Sequence, residues 1–262
     1  MPQMRTAGWL AIASGIAFLG AVGYLFTVLT GAGLALEMFD DPAALLPWIG
    51  NHLAAYHGLY LLYAVSQLLL LPVPALLSRW RGNGVGWLSA AVWGTAAAVI
   101  AIVGLAVSYG MAGPSSAAYL GATDQSARWA VLVTHHVAAD IAKDVRLFSE
   151  VLLGGWLALT GWLLTRSRGP RGWWLLAVAG GWTVLVAGWK LVDPLMPLED
   201  WLAFVVATAQ IALGVALLRT GRDDDRQDDD GQDDDGQLAR GVIRAGGGPV
   251  PRPADGTRPA NG

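Results

Sequence analysis

The chain has 262 residues, of which 54% are apolar and 14% are charged, with 13 Trp and a formal net charge of −3. An average soluble domain is about 45–50% apolar and about 25% charged, so this composition argues against a nucleic-acid-binding or wholly disordered protein and favours a polytopic membrane protein. The sequence contains no cysteine, which excludes disulfides, thiol catalysis and cysteine-ligated metals.

Six stretches are apolar over about the 20 residues that a helix needs to cross the hydrocarbon core of a bilayer. They cover residues 7–30, 58–77, 86–109, 147–164, 173–191 and 201–218. The first is longer than the apolar region of a cleaved signal peptide, so we interpret it as a retained span. The pattern predicts an all-α fold, with a six-helix transmembrane bundle in residues 1–220.

Basic residues indicate the orientation of the predicted bundle. The predicted loops on one side contain Arg5, Arg79, Arg81, Arg166, Arg168, Arg171, Arg219 and Arg222. Loops on the other side are mainly acidic, with Arg128 and Lys190 as their few cations. Because basic loops remain in the cytoplasm, we expect a multi-pass protein of the cell membrane with both termini cytoplasmic.

The two long loops on the other side, residues 31–57 and 110–146, are expected to pack together as a small helical cap. Asp41 followed by Pro42 predicts a helix start, with Asp41 as the N-cap. Residues 110–121 are rich in Gly, Ala, Ser and Pro and are interpreted as part of the connection. Residues 128–150 contain neither Gly nor Pro, which predicts one long helix continuing into the fourth span.

The C-terminal segment, residues 221–262, differs from the rest of the chain. It begins with three copies of a five-residue, Asp-rich unit and continues as an Arg-, Gly- and Pro-rich stretch. A segment with such low hydrophobicity and dense like charge cannot offset the entropy of ordering. It is therefore predicted to be a disordered cytoplasmic tail.

The fourth span begins with an unusually charged helix face. His136, Asp140, Lys143, Leu147 and Glu150 recur at three- and four-residue spacing, and Arg146 lies four residues before Glu150, within reach of an ion pair. Charges near a span are costly and usually face a bundle interior or a water-filled cavity. One interpretation is a helix extension with solvated charges. The other is a ligand pocket between the second and fourth spans, lined by Tyr56, His57, Tyr60, His136, Asp140 and Glu150.

A polar stripe on the second span extends this picture. Tyr56, Tyr60, Tyr63 and Gln67 are interpreted either as lining a cavity or as hydrogen-bonding to neighbouring helices, with the second interpretation preferred.

The four histidines occur in two pairs at a similar height on the predicted outer side. Imidazole and carboxylate groups are ligands that suit zinc, and two histidines can ligate a haem between helices. The candidate metal ligands are His52, His57, His135, His136, Asp140 and Asp144. The spacing within neither histidine pair matches a specific metal motif. Histidines that make ordinary hydrogen bonds are therefore the alternative.

The layout resembles a family of bacterial six-helix membrane proteins known as domain of unknown function 4386. The similarity lies in the opening AGWLAIASGIAFLG, in the segment that begins DDPAALLPWIGNHLAAYHGLY, and in a fourth helix ending VLLGGWLALTGWLLTRSRGPRGWWLLAVAGG. The abundance of Ala, Gly and Arg also hints at a bacterial, GC-rich genome. The resemblance implies no established activity, cofactor or site residue.

Three functions follow as hypotheses. The first is a non-enzymatic membrane protein that binds a small ligand, acts as a sensor or takes part in assembly. The alternatives are a transporter or proton-coupled carrier, and a protein that binds metal or haem through the histidine and aspartate residues. No catalytic residue is indicated and any cofactor is unknown. The expected partners are the lipid bilayer, a small molecule, and a second copy or another membrane protein, but not nucleic acid.

Overall fold

The computed structural model describes residues 2–81, 84–166, 173–192 and 204–220. Within these ranges every regular element is a helix and no strand is present, which confirms the all-α prediction. The predicted tail at residues 221–262 lies outside the described residues, as do residues 167–172 and 193–200 of the predicted loops and residues 201–203 of the predicted sixth span.

Seven α-helices lie within the described ranges. They are α1 (Pro2–Tyr24), α2 (Pro42–Leu70), α3 (Val73–Trp80), α4 (Val85–Gly121), α5 (Gln125–Arg166), α6 (Trp173–Val192) and α7 (Phe204–Thr220). A π-helical turn, Leu25–Leu29, continues α1, and a 3-10 turn, Leu36–Asp40, precedes α2.

Four segments of the described structure are long and apolar enough to cross a membrane: Gln3–Leu29, Pro42–Trp80, Val85–Gly121 and Gln125–Arg166. Many large apolar side chains of the helices are exposed, such as Leu61 on α2, Val92 on α4 and Leu185 on α6. An extensive exposed apolar surface is typical of a protein that contacts lipid. The structure is therefore consistent with a membrane protein.

The start of α2 confirms Asp41 as the predicted N-cap residue. The Oδ1 of Asp41 accepts a hydrogen bond from the backbone N–H of Ala43 at 3.0 Å, and Pro42 is the first helical residue. The helix continues into the predicted second span with a kink at His52, whose φ of −130° and ψ of 28° are not helical. The helix thus begins well before residue 58, where the predicted second span starts. Its N-terminal part is helical because it also buries apolar side chains.

The connection between α1 and α2 folds back against α2. Gly33 has a φ of 88°, a left-handed conformation that glycine adopts without steric cost. The turn brings the carbonyl of Ala32 within 3.0 Å of the indole Nε1 of Trp48, which donates a hydrogen bond to it, and it buries Leu34. The 3-10 turn that follows thus lies beside the N-terminal half of α2.

The interpretation of residues 110–121 as a loop was wrong, because α4 continues through them to Gly121. Small residues in this part of α4 let it approach α2 closely. The Oγ of Ser116 donates a 2.8 Å hydrogen bond to the carbonyl of Leu46, and Ala112 is buried. Packing against α2 therefore stabilises helix in a composition that, read locally, favours a loop.

The prediction of one long helix continuing into the fourth span is confirmed. Helix α5 has 42 residues and, at 1.5 Å per residue, is about 63 Å long. It packs closely against α6 at Gly154 and Gly180, where an added Cβ on Gly180 would lie 2.5 Å from the carbonyl oxygen of Gly154. Both helices are continuous here, so the glycines permit close packing and not a break.

Two buried apolar clusters form the interior. One contains Leu153, Trp156 and Leu213 and has members on all seven helices, whereas the other contains Leu46 and Ile49 and lies around the N-terminal half of α2.

Candidate functional site

The charged face of α5 lines two adjacent cavities. His136, Asp140 and Lys143 border the larger one, and Lys143, Leu147 and Glu150 border the smaller one. These residues are all on the continuous helix α5 and line adjacent cavities, so the predicted shared face is confirmed. The charges of this face therefore point to the interior of the bundle and not only to solvent.

The smaller cavity has a volume of about 190 Å³ and lies among six of the helices. Its apolar walls consist of Phe18, Ala97, Ala101, Leu105, Leu147, Leu153 and Val206. Its polar and charged lining consists of Tyr63, Gln67, Lys143, Arg146, Ser149, Glu150 and Lys190. Three cations and one carboxylate thus surround a small space enclosed by apolar helices.

The larger cavity has a volume of about 770 Å³. One wall is the π-helical turn and the 3-10 turn after α1, which contribute Leu25, Phe26, Leu36, Glu37, Phe39 and Asp40. The opposite walls are formed by Tyr56, Tyr60 and Tyr63 of α2, by Val107, Ser108 and Met111 of α4, and by residues 135–146 of α5. Glu37, Asp40 and Asp140 are exposed, so the accessible parts of this cavity include acidic side chains.

Tyr63, Lys143 and Arg146 line both cavities, and we refer to these three residues as the junction. The ring of Tyr63 packs edge-on against Phe18, with 5.2 Å between the ring centroids. The Nε of Arg146 is buried and has no hydrogen-bond partner among the described residues. The junction therefore presents hydrogen-bond donors and positive charge between the two cavities.

Gly104 of α4 makes room for Arg146, a role that the sequence did not reveal. A Cβ at position 104 would lie 2.9 Å from the Cγ of Arg146 and 3.2 Å from the carbonyl oxygen of Ala142. Because real Cβ contacts are almost never this short, any larger residue here would displace the arginine side chain or the helix.

The predicted ligand-binding residues divide between the two cavities. Tyr56, Tyr60, His136 and Asp140 line the larger cavity, and Glu150 lines the smaller one. His57 lies elsewhere: its ring stacks on Tyr109 of α4, with a centroid distance of 3.9 Å. His57 points about 100° away from Tyr56 around the helix axis, and it borders neither cavity.

The tyrosine stripe of α2 lines cavities, contrary to the preferred interpretation that it bonds neighbouring helices. Among the described residues, the hydrogen bond of the Tyr56 and Tyr60 side chains joins their two hydroxyls, 3.0 Å apart. Tyr63 and Gln67 face the smaller cavity one and two turns further along the helix. Hydrogen bonding between helices is instead made by Ser14, whose Oγ donates to the carbonyl of Ser66 at 2.9 Å.

Arg146 and Glu150, which are spaced within reach of an ion pair, do not form one, since Arg146 makes no ion pair within the described part of the chain. Both side chains border the smaller cavity. The ion pair that the structure gives for this helix face joins His136 Nε2 and Asp140 Oδ2 at 3.5 Å, and both of its side chains are 60% exposed.

The six candidate metal ligands are not brought together. Across the described ranges no group of three or more His, Asp or Glu side chains is placed to hold a metal ion. His52 stacks on Trp48, and its Nδ1 is hydrogen-bonded to the Trp48 carbonyl at 3.0 Å. His57 packs against Tyr109, His135 is buried, and Asp144 is exposed. Of the six, only His136 and Asp140 form an ion pair, and two ligands do not make a metal site.

Lys190 is the residue of this site that the sequence analysis placed differently. It was counted as a loop cation, but it is 3% exposed and borders the smaller cavity from the last turn of α6. The sequence contains a signal for this role, because Lys190 follows 17 apolar or neutral residues. A charged residue in such a position is a default functional candidate in a membrane protein.

Comparison of the chain with known protein families, with characterised proteins and with solved structures finds no match. The geometry of the two cavities is therefore the basis for a functional proposal.

Proposed function

We propose that the chain is a multi-pass membrane protein that binds a small molecule in the two adjacent cavities. The observation that carries the proposal is the junction: Tyr63, Lys143 and Arg146 border both a wide cavity and a small cavity inside an apolar bundle. Ligand pockets are typically concave and mostly apolar, with a few convergent polar groups that fix orientation, and this site has that composition.

The proposed topology has six spans with both termini in the cytoplasm. It is supported by the positions of the basic residues and by four long apolar helices, to which α6 and α7 would add two shorter spans. In this topology the larger cavity opens on the outer side, where the connection after α1 and the N-terminal part of α5 form the proposed cap. The proposal agrees with the six-helix family that the sequence resembles.

The absence of native cysteine makes the proposal testable by labelling single-cysteine variants in intact cells. Ala139→Cys lies in the larger cavity, Ala101→Cys in the smaller one, and Ala90→Cys is a buried control outside both. We expect a membrane-impermeant maleimide added outside to label Ala139→Cys fast and Ala101→Cys more slowly.

The control variant defines the refuting result. If Ala101→Cys is labelled from outside no faster than Ala90→Cys, the smaller cavity is not accessible from the larger one and the proposed binding function fails. If Ala139→Cys reacts only in inverted vesicles, the orientation is wrong. Gln125→Cys and Asn83→Cys serve as topology markers, expected to react from outside and from inside, respectively.

A transporter is the second candidate, favoured by the interruption of the second membrane-length segment. Helix α2 ends at Leu70 and α3 begins at Val73, close in sequence to Gln67 of the smaller cavity. Transporters commonly place a discontinuous helix beside their binding site. In that case Ala101→Cys is expected to react from both sides of the membrane, whereas a binding protein or sensor exposes it on one side only.

A further inference from the structure

The junction contributes two cations to an excess of positive charge around the smaller cavity. Lys143 and Arg146 are one helical turn apart on α5, and both border both cavities. Neither forms an ion pair with a side chain in the described ranges, and Glu150 is the one carboxylate among the described lining residues of the smaller cavity, against three cations. Two like charges at this spacing repel each other, so their placement in a partly buried position is destabilising without an anion.

The surroundings restrict how this charge can be satisfied. Both side chains are partly buried, and the Nε of Arg146 has no contact with solvent and no partner in the described structure. Gly104 provides the space that allows the arginine to lie against α4. The third junction residue, Tyr63, has a hydroxyl that can donate a further hydrogen bond. Guanidinium, ammonium and phenol donors together match the oxygens of a carboxylate or phosphate.

The volume of the smaller cavity limits the size of the ligand. At about 30 Å³ for each water-sized group, 190 Å³ accommodates about six non-hydrogen atoms. Its walls combine apolar side chains such as Leu105 and Leu153 with the amide of Gln67. A compact organic anion therefore fits this space.

We propose that the junction binds the oxyanion of a small carboxylate or phosphate monoester through Lys143, Arg146 and Tyr63. This inference rests on the proposed function and names the class of its ligand. The bound oxyanion offsets the positive charge of the two cations, and its organic part occupies the smaller cavity. The same chemistry is offered by the headgroup of phosphatidic acid, so the experiment separates a free anion from a lipid.

The experiment measures the thermal stability of the full-length protein in an uncharged maltoside detergent at constant ionic strength. The probes are butyrate and methyl phosphate, with butyramide as the neutral control and chloride as the non-oxyanion control. A ligand that binds the native state raises the unfolding temperature in proportion to its occupancy. We expect at least one oxyanion to raise it in a saturable manner, and butyramide and chloride to have no such effect.

Variants locate the binding. Arg146→Gln and Lys143→Gln are each expected to weaken oxyanion binding at least tenfold. Arg128→Gln is the matched control, because Arg128 is on the same helix but borders neither cavity. The inference is overturned if neither oxyanion stabilises the wild-type protein more than chloride and butyramide do and phosphatidic acid has no effect. It is equally overturned if a variant that combines Lys143→Gln and Arg146→Gln binds the oxyanion as the wild type does.

Lipid discs provide the second arm. If phosphatidic acid in phosphatidylcholine discs stabilises the wild type but not Arg146→Gln, while the soluble anions have no effect, the oxyanion comes from a lipid headgroup. Failure of this inference is distinguishable from failure of the proposed function. Labelling of Ala101→Cys from outside without any oxyanion response retains a ligand-binding cavity but removes the anionic ligand.

Discussion

Gly180 and Gly181 of α6 provide a test of helix packing with an internal control. A Cβ added at Gly180 would lie 2.3 Å from the backbone nitrogen of Ala158 and 2.5 Å from the carbonyl oxygen of Gly154, both on α5. A Cβ added at Gly181 meets nothing within 4 Å. The two substitutions therefore add the same methyl group to the same helix turn, but only one places it against another backbone.

The size of the effect follows from these distances. Ordinary contacts of a Cβ begin at 3.4 Å, so in Gly180→Ala the two helices must separate by about 1 Å at this point, because backbone atoms cannot rotate away as a side chain can. Overpacking of this kind costs about 1–3 kcal/mol of unfolding free energy. Gly181→Ala is expected to be neutral or to stabilise by up to about 1 kcal/mol, because alanine is the better helix former.

The measurement is reversible unfolding in mixed micelles with increasing dodecyl sulfate, followed by far-ultraviolet circular dichroism. We expect the midpoint of Gly180→Ala to fall below that of the wild type and that of Gly181→Ala to be equal or higher. Equal midpoints for the two variants would refute the reasoning, since they would show that α5 and α6 are not in backbone contact at Gly180.

Three further predictions concern other contacts. Gly104→Ala is expected to displace Arg146 and to lower stability by about 1–3 kcal/mol, whereas Gly110→Ala on the same helix, with open space around it, is expected to be neutral or stabilising in the same unfolding assay. Ser14→Ala is expected to cost about 0.5–2 kcal/mol, because it removes the buried hydrogen bonds of α1 to α2 and α7; an unchanged midpoint would contradict this. Hydrogen bonds from the Ser126 hydroxyl and the Ala127 N–H hold the pKa of Asp124 below its ordinary value of 3.8, so its contribution to stability is complete above that pH and is lost as the pH falls through the lowered pKa. When unfolding of the wild type and of Asp124→Asn is compared from pH 6 downward, the acid-induced loss of stability is expected to be larger in the wild type. Parallel curves would exclude a contribution of Asp124.

Features that depend on nearby residues were predictable from the sequence. The apolar composition predicts helices long enough for a membrane, the pair Asp41–Pro42 predicts the start of α2, and the absence of Gly and Pro from residues 128–150 predicts a continuous α5. These predictions hold because helix formation, capping and the periodicity of a helix face are decided within a few residues along the chain. The shared face of His136, Asp140, Lys143 and Glu150 follows from the same periodicity.

Only the tertiary structure decided which of these faces meet. Residues 110–121 are helical because they pack against α2, and Gly104 belongs to the site because α4 approaches Arg146 there. His57 is near the predicted pocket in sequence, but it packs on Tyr109 because it points away from the side of α2 that carries Tyr56. Such outcomes depend on contacts between residues that are distant in sequence and on the relative rotation of helices, and hydropathy patterns do not encode them.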